Sequence, residues 1–172
     1  MLPAVSASFE RCGNLARFTS KLADVVRIPE PVRADLSLNE LVRSVDALTR
    51  IECRKRNISL SLSLADPDTI IRADGIQLEQ VLVNIVKNAY EAIGHDGRIR
   101  IVTTADPPSV TVEDNGPGIP EEIRKQLFTP FFTTKPSGQG IGLMFVREVL
   151  NNHRMAFSLT SQNGCTRFEI SV

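Results

Sequence analysis

The sequence predicts one mixed α/β domain, and three observations carry this prediction. At 172 residues the chain is long enough for one well-buried core and short for two. Several segments place apolar residues three and four positions apart, which is the period of an amphipathic helix. Other segments alternate apolar and polar residues, as half-buried strands do, and turn-forming residues separate the two kinds of segment.

The first predicted helix covers residues 8–26 and carries one apolar stripe. The stripe consists of Cys12, Leu15, Phe18, Leu22 and Val25. Such a face must pack on its own domain or on a partner helix. Pro29 and Pro31 then break the helix, because each fixes φ and lacks a donor. Residues 27–35 are therefore predicted to be a linker.

Four further helices are marked by their ends. A capping box, Ser37-Leu-Asn-Glu40, begins a helix that should run to about Arg56. Asp74 can cap a helix over residues 75–93, which Gly94 ends. A short helix should begin at Pro120, because proline is favoured at the first helical position. The last helix is predicted over residues 141–152.

Six strands are predicted between these helices. The alternation is clearest from residue 57 to residue 64, and a short return strand follows at residues 69–72. The remaining strands are residues 98–104, the segment that ends at Asp114, and two closing strands at residues 157–160 and 167–172.

Composition excludes several classes of function. Acidic and basic residues balance at 20 each and form no basic run, so no nucleic-acid footprint is indicated. No apolar run approaches the roughly 20 residues of a membrane span, and no signal peptide pattern is visible. The three cysteines are scattered, without the spacing of a zinc site, and are typical of reduced thiols. We therefore expect a cytoplasmic protein.

The strand that ends at Asp114 leads into Asn115-Gly116-Pro117-Gly118, a dense group of turn formers. A carboxylate at the end of a buried strand is costly unless a specific donor meets it. The glycines would let a flat ligand approach the backbone, and an acceptor-only carboxylate suits the amine of adenine but not the carbonyl of guanine. A strand that ends in an ordinary Asx turn explains the segment about equally well.

Asn84 and Asn88 lie one turn apart on the helix of residues 75–93, at the edge of its buried stripe. The simpler interpretation is two satisfied residues on a helix surface. The functional alternative is a magnesium site, because a carboxamide oxygen is a hard, neutral ligand for an ion that also binds substrate phosphates.

The segment from Leu127 to Gly140 is irregular and contains Phe128, Phe131 and Phe132. Its aromatic residues could hold an ordinary loop to the core, or they could anchor a lid from which a lysine reaches a terminal phosphate. The end of this segment, Gly138-Gln-Gly140-Ile-Gly142-Leu143, opens a helix, where backbone N–H groups can bind phosphate. No P-loop motif and no eukaryotic protein-kinase motif is present.

In this order and spacing, the four segments resemble the N, G1, F and G2 boxes of the sensor histidine kinase catalytic domain. That domain shares an ATP-binding superfamily with type II topoisomerases, mismatch-repair ATPases and a heat-shock chaperone. The resemblance covers residues 35–172, and Phe-Thr-Pro-Phe-Phe-Thr-Thr-Lys looks like the nitrogen-regulation type of sensor kinase. It implies a two-layer α/β sandwich with helices on one face of a mixed, mostly antiparallel sheet, plus an N-terminal helix.

The resemblance also implies ATP and Mg²⁺ as ligands and assigns a role to particular residues. Asn84, Asn88 and Lys135 would be catalytic, and the two asparagines would hold the magnesium ion. Residues 127–140 would form the lid. The implied nucleotide site consists of Asp114, Gly116, Gly118, Ile119, Gly138, Gln139, Gly140, Ile141, Gly142, Leu143 and Thr166.

Asn84 bears on the reaction type. Relatives that hydrolyse ATP usually carry a glutamate there, because an attacking water must lose a proton, whereas a neutral imidazole needs no base. The amide therefore favours transfer of the γ-phosphate to a histidine. An ATPase of the same superfamily and a nucleotide-binding regulatory module without transfer activity remain as alternatives.

The acceptor histidine is not evident in this chain. His95 and His153 lack the His-Glu/Asp helical motif, so we expect structural or exposed roles for both. Residues 1–34 are predicted to be part of a dimerisation hairpin and its linker, without the helix that carries the acceptor. The expected setting is a longer sensor kinase whose partners are that hairpin, a response regulator and, through the N-terminal helix, a second copy of the chain.

Overall fold

A computed structural model describes residues 28–134, 138, 140–162 and 164–172. The predicted N-terminal helix, Lys135 and Gln139 lie outside these residues. The elements in chain order are β1 (Ala34–Ser37), α1 (Leu38–Lys55), β2 (Ile58–Ser63), β3 (Ile70–Ala73), α2 (Gly75–Ile93), β4 (Gly97–Ala105), β5 (Pro108–Asp114), α3 (Glu121–Arg124), α4 (Gly142–His153), β6 (Ala156–Gln162) and β7 (Cys165–Ser171).

The main sheet has five strands in the order β2-β4-β5-β7-β6. Only β2 and β4 pair in parallel, and the other three pairs are antiparallel. The parallel pair is possible because the connection through β3 and α2 is long enough to cross over the sheet. The predicted mixed, mostly antiparallel sheet is therefore confirmed.

The helices α1, α2 and α4 pack together against the sheet and form the core with it. Along β7, buried Thr166, Phe168 and Ile170 alternate with more exposed neighbours, as expected for a strand that has one covered face. The helical side of the core includes Val45 of α1, Val86 of α2 and other fully buried side chains. In the part of the chain described here, no helix is both long and apolar enough to cross a membrane.

The side chains predicted to begin the two long helices do cap them. The Ser37 hydroxyl accepts a hydrogen bond from the Glu40 N–H at 2.9 Å. Oδ1 of Asp74 accepts from the N–H groups of Ile76 and Gln77, each at 3.1 Å. Both helices begin and end within one residue of the predicted positions, because local capping decides these boundaries.

Two expectations near the N-terminus are wrong. Residues 34 and 35, predicted as linker, belong to β1, and the return strand pairs with β1 in a separate two-stranded sheet rather than folding back on β2. The turn after β2 lies against the start of α1, because the Asp68 carboxylate accepts hydrogen bonds from the Ser37 hydroxyl and from the Asn39 N–H. On the main sheet, β4 pairs with β2.

The segment before β1 is bound to the domain rather than standing free of it. Nε2 of Gln77 donates to the Pro29 carbonyl at 3.0 Å, and the Val32 N–H donates to Oδ2 of Asp74 at 3.0 Å. Nη2 of Arg33 donates to the Asn152 carbonyl at 2.8 Å. The predicted linker is thereby fixed to the start of α2 and the end of α4.

Candidate functional site

A pocket opens between α2 and the sheet, where β5 and β7 lie side by side. Most of its wall is apolar, with three polar side chains among the lining residues. This composition is typical of a site for a flat ring that has one hydrogen-bonding edge. The pocket is lined by Ile85, Asn88, Ala89, Ala92, Val112, Asp114, Gly118, Ile119, Leu143, Leu159, Thr166 and Phe168.

Asp114 is the last residue of β5, and only 8% of it is exposed. Burial raises the pKa of its carboxyl group, while the hydrogen bond from the Gly116 N–H to Oδ1, at 2.8 Å, acts in the opposite direction. A Cβ on Gly116 would lie 2.8 Å from Oδ1, so the turn closes on the carboxylate only with glycine there. Asp114 therefore both forms the turn and lines the pocket.

Thr166 lies opposite Asp114 in the register of β5 and β7 and is also 8% exposed. Its hydroxyl oxygen is 3.3 Å from that of Ser161, on β6. The Ser161 oxygen also accepts a hydrogen bond from the Ile119 N–H at 2.8 Å. These contacts tie the loop after β5 to the hairpin of β6 and β7.

The same loop passes very close to Ser161. Gly118 has a φ of +81°, and a Cβ there would lie 3.1 Å from the Ser161 hydroxyl oxygen. Glycine at this position therefore satisfies both the left-handed backbone and the close approach. Ser161 is a residue that the sequence did not single out, because one serine in an alternating strand carries no signal of its role.

The two asparagines of α2 take different positions. Asn88 lines the pocket. Nδ2 of Asn84 donates to the Gln80 carbonyl at 2.9 Å, and this bond fixes the amide so that Oδ1 faces the start of α4. A Cβ on Gly142 would lie 3.4 Å from that Oδ1. An acceptor oxygen is thus held beside the first turn of α4.

Gly140, at the end of the predicted lid, packs directly against the backbone of Phe131 in the same segment. The Phe131 N–H donates to the Gly140 carbonyl at 3.2 Å. Gly140 has a φ of +66°, and a Cβ there would lie 2.3 Å from the Phe131 carbonyl carbon. α4 begins after Ile141 without a side-chain cap, and Leu143 of its first turn reaches the pocket. The first N–H groups of α4 therefore have no side-chain acceptor from the capping position.

The aromatic residues of the predicted lid divide into anchored and exposed members. The Phe128 ring lies 5.2 Å from that of Phe157 and 6.4 Å from that of Phe168, measured between centroids. Phe157 and Phe168 are themselves stacked at 5.7 Å. Phe131 is 43% exposed. Phe128 therefore holds the start of the predicted lid to the core, where it contacts Phe168, a residue that lines the pocket.

The structure brings most of the predicted site together. Asn88, Asp114, Gly118, Ile119, Leu143 and Thr166 line one pocket. Gly116 supports Asp114, and Asn84 lies beside Gly142 at the start of α4. Gly138, Gly140 and Ile141 precede that helix. Among the residues with described positions, no three His, Cys, Asp or Glu side chains come together as a metal site.

Comparison with known proteins places this geometry in a family. Residues 73–172 match the family of histidine kinase-, DNA gyrase B-, and HSP90-like ATPases. Sporulation kinase A of Bacillus subtilis is 34% identical over 166 residues, which cover 92% of this chain. The chain spans 27% of the length of that kinase.

Solved structures agree with this match. The catalytic domain of histidine kinase ThkA is 35% identical, with a TM-score of 0.74, over 81% of this chain and 94% of that one. A complex of ThkA with the response regulator protein TrrA gives a TM-score of 0.76 at 28% identity, over 94% of this chain and 48% of the ThkA chain.

Proposed function

Because this chain belongs to the histidine kinase-, DNA gyrase B- and HSP90-like ATPase family, in the form found in sensor histidine kinases, we propose that it binds Mg-ATP and transfers the γ-phosphate to a histidine of a dimerisation hairpin. The observation that carries this proposal is Asp114, a buried carboxylate in the wall of an otherwise largely apolar pocket.

The adenine ring would occupy that pocket. A carboxylate accepts a hydrogen bond from the 6-amino group, whereas guanine presents an oxygen at the same place. Ile85, Ala89 and Leu143 would cover the ring, and Gly118 would lie against it without a Cβ. The raised pKa of Asp114 is consistent with a group that is desolvated before the ligand arrives.

The phosphates would lie toward the start of α4. The positions of Asn88 and of Oδ1 of Asn84 fit a magnesium ion, because carboxamide oxygens are suitable hard ligands for it. Magnesium would neutralise charge on the phosphates. The N–H groups after Gly140 would bind the phosphate oxygens, and Lys135 is proposed to reach the γ-phosphate.

Two contacts favour transfer to histidine over hydrolysis. The amide of Asn84 is oriented by the Gln80 carbonyl, and a carboxamide cannot remove a proton from water. The carboxylate of Glu79, the acidic residue closest before Asn84 on α2, accepts a hydrogen bond from the Ser44 hydroxyl of α1 and does not line the pocket. An imidazole acceptor needs no such base, so positioning and charge neutralisation would be sufficient.

The partners follow from the same proposal. A hairpin that carries the acceptor histidine would supply the substrate, and a response regulator would receive the phosphoryl group from it. ThkA is known in complex with such a regulator, TrrA. Residues 1–34 would supply part of the dimerisation hairpin and its linker, and residues 127–140 would act as the lid.

The test is to incubate the full chain with Mg²⁺ and ATP labelled at the γ-phosphate, with and without a histidine-containing hairpin from a related sensor kinase. The proposal expects an acid-labile, base-stable label on the hairpin. Release of free phosphate by the chain alone, abolished by Asn88→Ala, would support an ATPase instead. ATP binding without either reaction, across several hairpins, would support a regulatory module.

A further inference from the structure

Ser161 connects the loop after β5 to β7, and these two elements both contribute residues to the candidate nucleotide pocket. Its hydroxyl oxygen accepts from the Ile119 N–H at 2.8 Å and lies 3.3 Å from the Thr166 hydroxyl oxygen. Ile119 and Thr166 both line the pocket, whereas Ser161 is not among the lining residues. A serine behind the wall thus contacts both the loop and the strand that form it.

The direction of the hydrogen bonds matters here. A backbone N–H can only donate, so the Ser161 oxygen is an acceptor toward Ile119. Its own proton is then available for the Thr166 oxygen. If Ser161 donates to Thr166, the Thr166 proton is directed elsewhere, and Thr166 presents a donor to the pocket that it lines.

The opposite direction of the hydrogen bond between Thr166 and Ser161 would present an acceptor, rather than a donor, to the pocket. If Thr166 donated to Ser161, its lone pairs would face the pocket beside Asp114, its partner across β5 and β7. Two acceptors side by side in an apolar wall are unfavourable without a ligand that has two donors. Guanine offers two adjacent donors, the ring N1–H and the 2-amino group, whereas adenine offers a donor beside an acceptor nitrogen.

We infer that Ser161 is a specificity-determining positioning residue, which orients the Thr166 hydroxyl as a donor and so selects adenine over guanine. The inference rests on the proposed nucleotide function and adds a residue to it. Asp114 would accept from the 6-amino group, and Thr166 would donate to a ring nitrogen beside that group, N1 or N7. The same serine would hold Ile119 in the pocket wall.

The test measures affinities of the full chain by calorimetry, with ATP, GTP, 1-deaza-ATP and 7-deaza-ATP as ligands and Mg²⁺ present. Ser161→Ala should weaken ATP binding by roughly 3- to 10-fold, as expected for one neutral hydrogen bond, and should narrow the ratio of ATP to GTP affinity. For one of the two deaza analogues, the loss of affinity caused by Ser161→Ala should be smaller than for ATP, because that analogue lacks the acceptor and only the contact with Ile119 is lost.

Two further variants separate this role from a general structural one. Ser158→Ala makes the same change on the exposed face of β6 and should leave all four affinities unchanged. Thr166→Val removes the hydroxyl but keeps the shape, and adding Ser161→Ala to it should not change the ATP to GTP ratio further.

The outcomes distinguish the inference from its premise. If the unaltered chain does not bind ATP, the proposed function fails. If it binds ATP but Ser161→Ala leaves the ATP to GTP ratio unchanged, or weakens ATP and both deaza analogues equally, only the role of Ser161 is overturned.

Discussion

The Asp74 N–H donates a hydrogen bond to Nε2 of His153 across 3.1 Å, and Nδ1 of the same ring is 2.8 Å from the Val149 carbonyl. Since a carbonyl can only accept, Nδ1 carries the proton and Nε2 is the acceptor. His153 is 7% exposed at the end of α4, and Asp74 caps α2. The ring therefore joins two helices that both contribute to the candidate site.

His153→Ala should lower the free energy of unfolding by about 1–3 kcal/mol, because it removes a buried ring and leaves the partly buried Asp74 N–H without its partner. Urea unfolding measures this change. His95→Ala is the matched control, since His95 is exposed in the turn after α2, and it should change stability by less than about 0.5 kcal/mol. Equal effects of the two substitutions would contradict the structural role of His153.

Asp114→Asn should weaken ATP binding by about 1–3 kcal/mol, which is roughly 5- to 150-fold in the dissociation constant. The asparagine oxygen can keep the bond from the Gly116 N–H, so its amide donor would face the donor amine of adenine. Calorimetry measures the affinity, and exposed Asp106→Asn is the control. An unchanged affinity would place the adenine elsewhere.

The same substitution should stabilise the protein without ligand. Burial raises the pKa of Asp114, so the folded state binds its proton more tightly than the unfolded state does. Stability therefore falls as pH rises from the ordinary aspartate pKa, about 4, through the raised value. Asp114→Asn removes this penalty, so its melting temperature should exceed that of the unaltered chain at pH 7.

The melting-temperature advantage of Asp114→Asn should shrink as pH falls. It should vanish below pH ~4, where Asp114 is protonated in both the folded and the unfolded protein. Thermal melts of the two proteins from pH 3.5 to pH 8 test the dependence, and groups common to both cancel in the difference. A melting-temperature difference that stays constant over this range would show that burial of the charge is not its cause.

Much of the fold could be predicted because its signals are local. α2 was bounded correctly at Gly75 and Ile93, since Asp74 caps one end and Gly94, with a φ of +77°, closes the other. β1 has only four residues, and two of them are strongly exposed, so no alternation marked it. The partner of β3 depends on contacts of Asp68 with α1, which sequence spacing does not encode.

In the candidate site, too, residues within one local motif could be predicted, whereas a residue placed by strand pairing could not. Asp114, Gly116 and Gly118 belong to one short motif, so their proximity follows from the chain itself. Ser161 is 42 residues from Ile119, and its position depends on how β6 lies beside β7. A residue whose role arises only from strand pairing cannot be identified from local pattern.

Gly140→Ala should open the segment of residues 127–140. The new Cβ would meet the Phe131 backbone at 2.3 Å, and φ is +66°. Cleavage by chymotrypsin after Phe131 should become about tenfold faster or more, which corresponds to ~1.4 kcal/mol in the opening equilibrium.

Gly164→Ala is the matched control for that substitution. Gly164 has a similar φ of +72°, but a Cβ there meets nothing within 4 Å, so it tests backbone strain without the clash. Chymotrypsin cleavage after Phe131 should be unchanged in this variant. Equal cleavage of the two variants would contradict the close packing of Gly140 on Phe131.

Phe128→Ala should lower the free energy of unfolding by about 2 kcal/mol, since a half-buried ring is lost from contact with Phe157 and Phe168. Phe131→Ala removes a more exposed ring from the same segment and should cost less than about 1 kcal/mol. Urea unfolding compares the two. A larger cost for Phe131 would reverse the assignment of Phe128 as the anchor.

Hydrogen exchange of the full chain, with and without Mg²⁺ and a non-hydrolysable ATP analogue, tests the central claim most directly. The account predicts slower exchange at residues 115–119 and 140–146 when the nucleotide is present, and no change in β1 and β3. Protection confined to other segments, under conditions where calorimetry shows the analogue bound, would contradict the placement of the nucleotide between α2, β5 and α4.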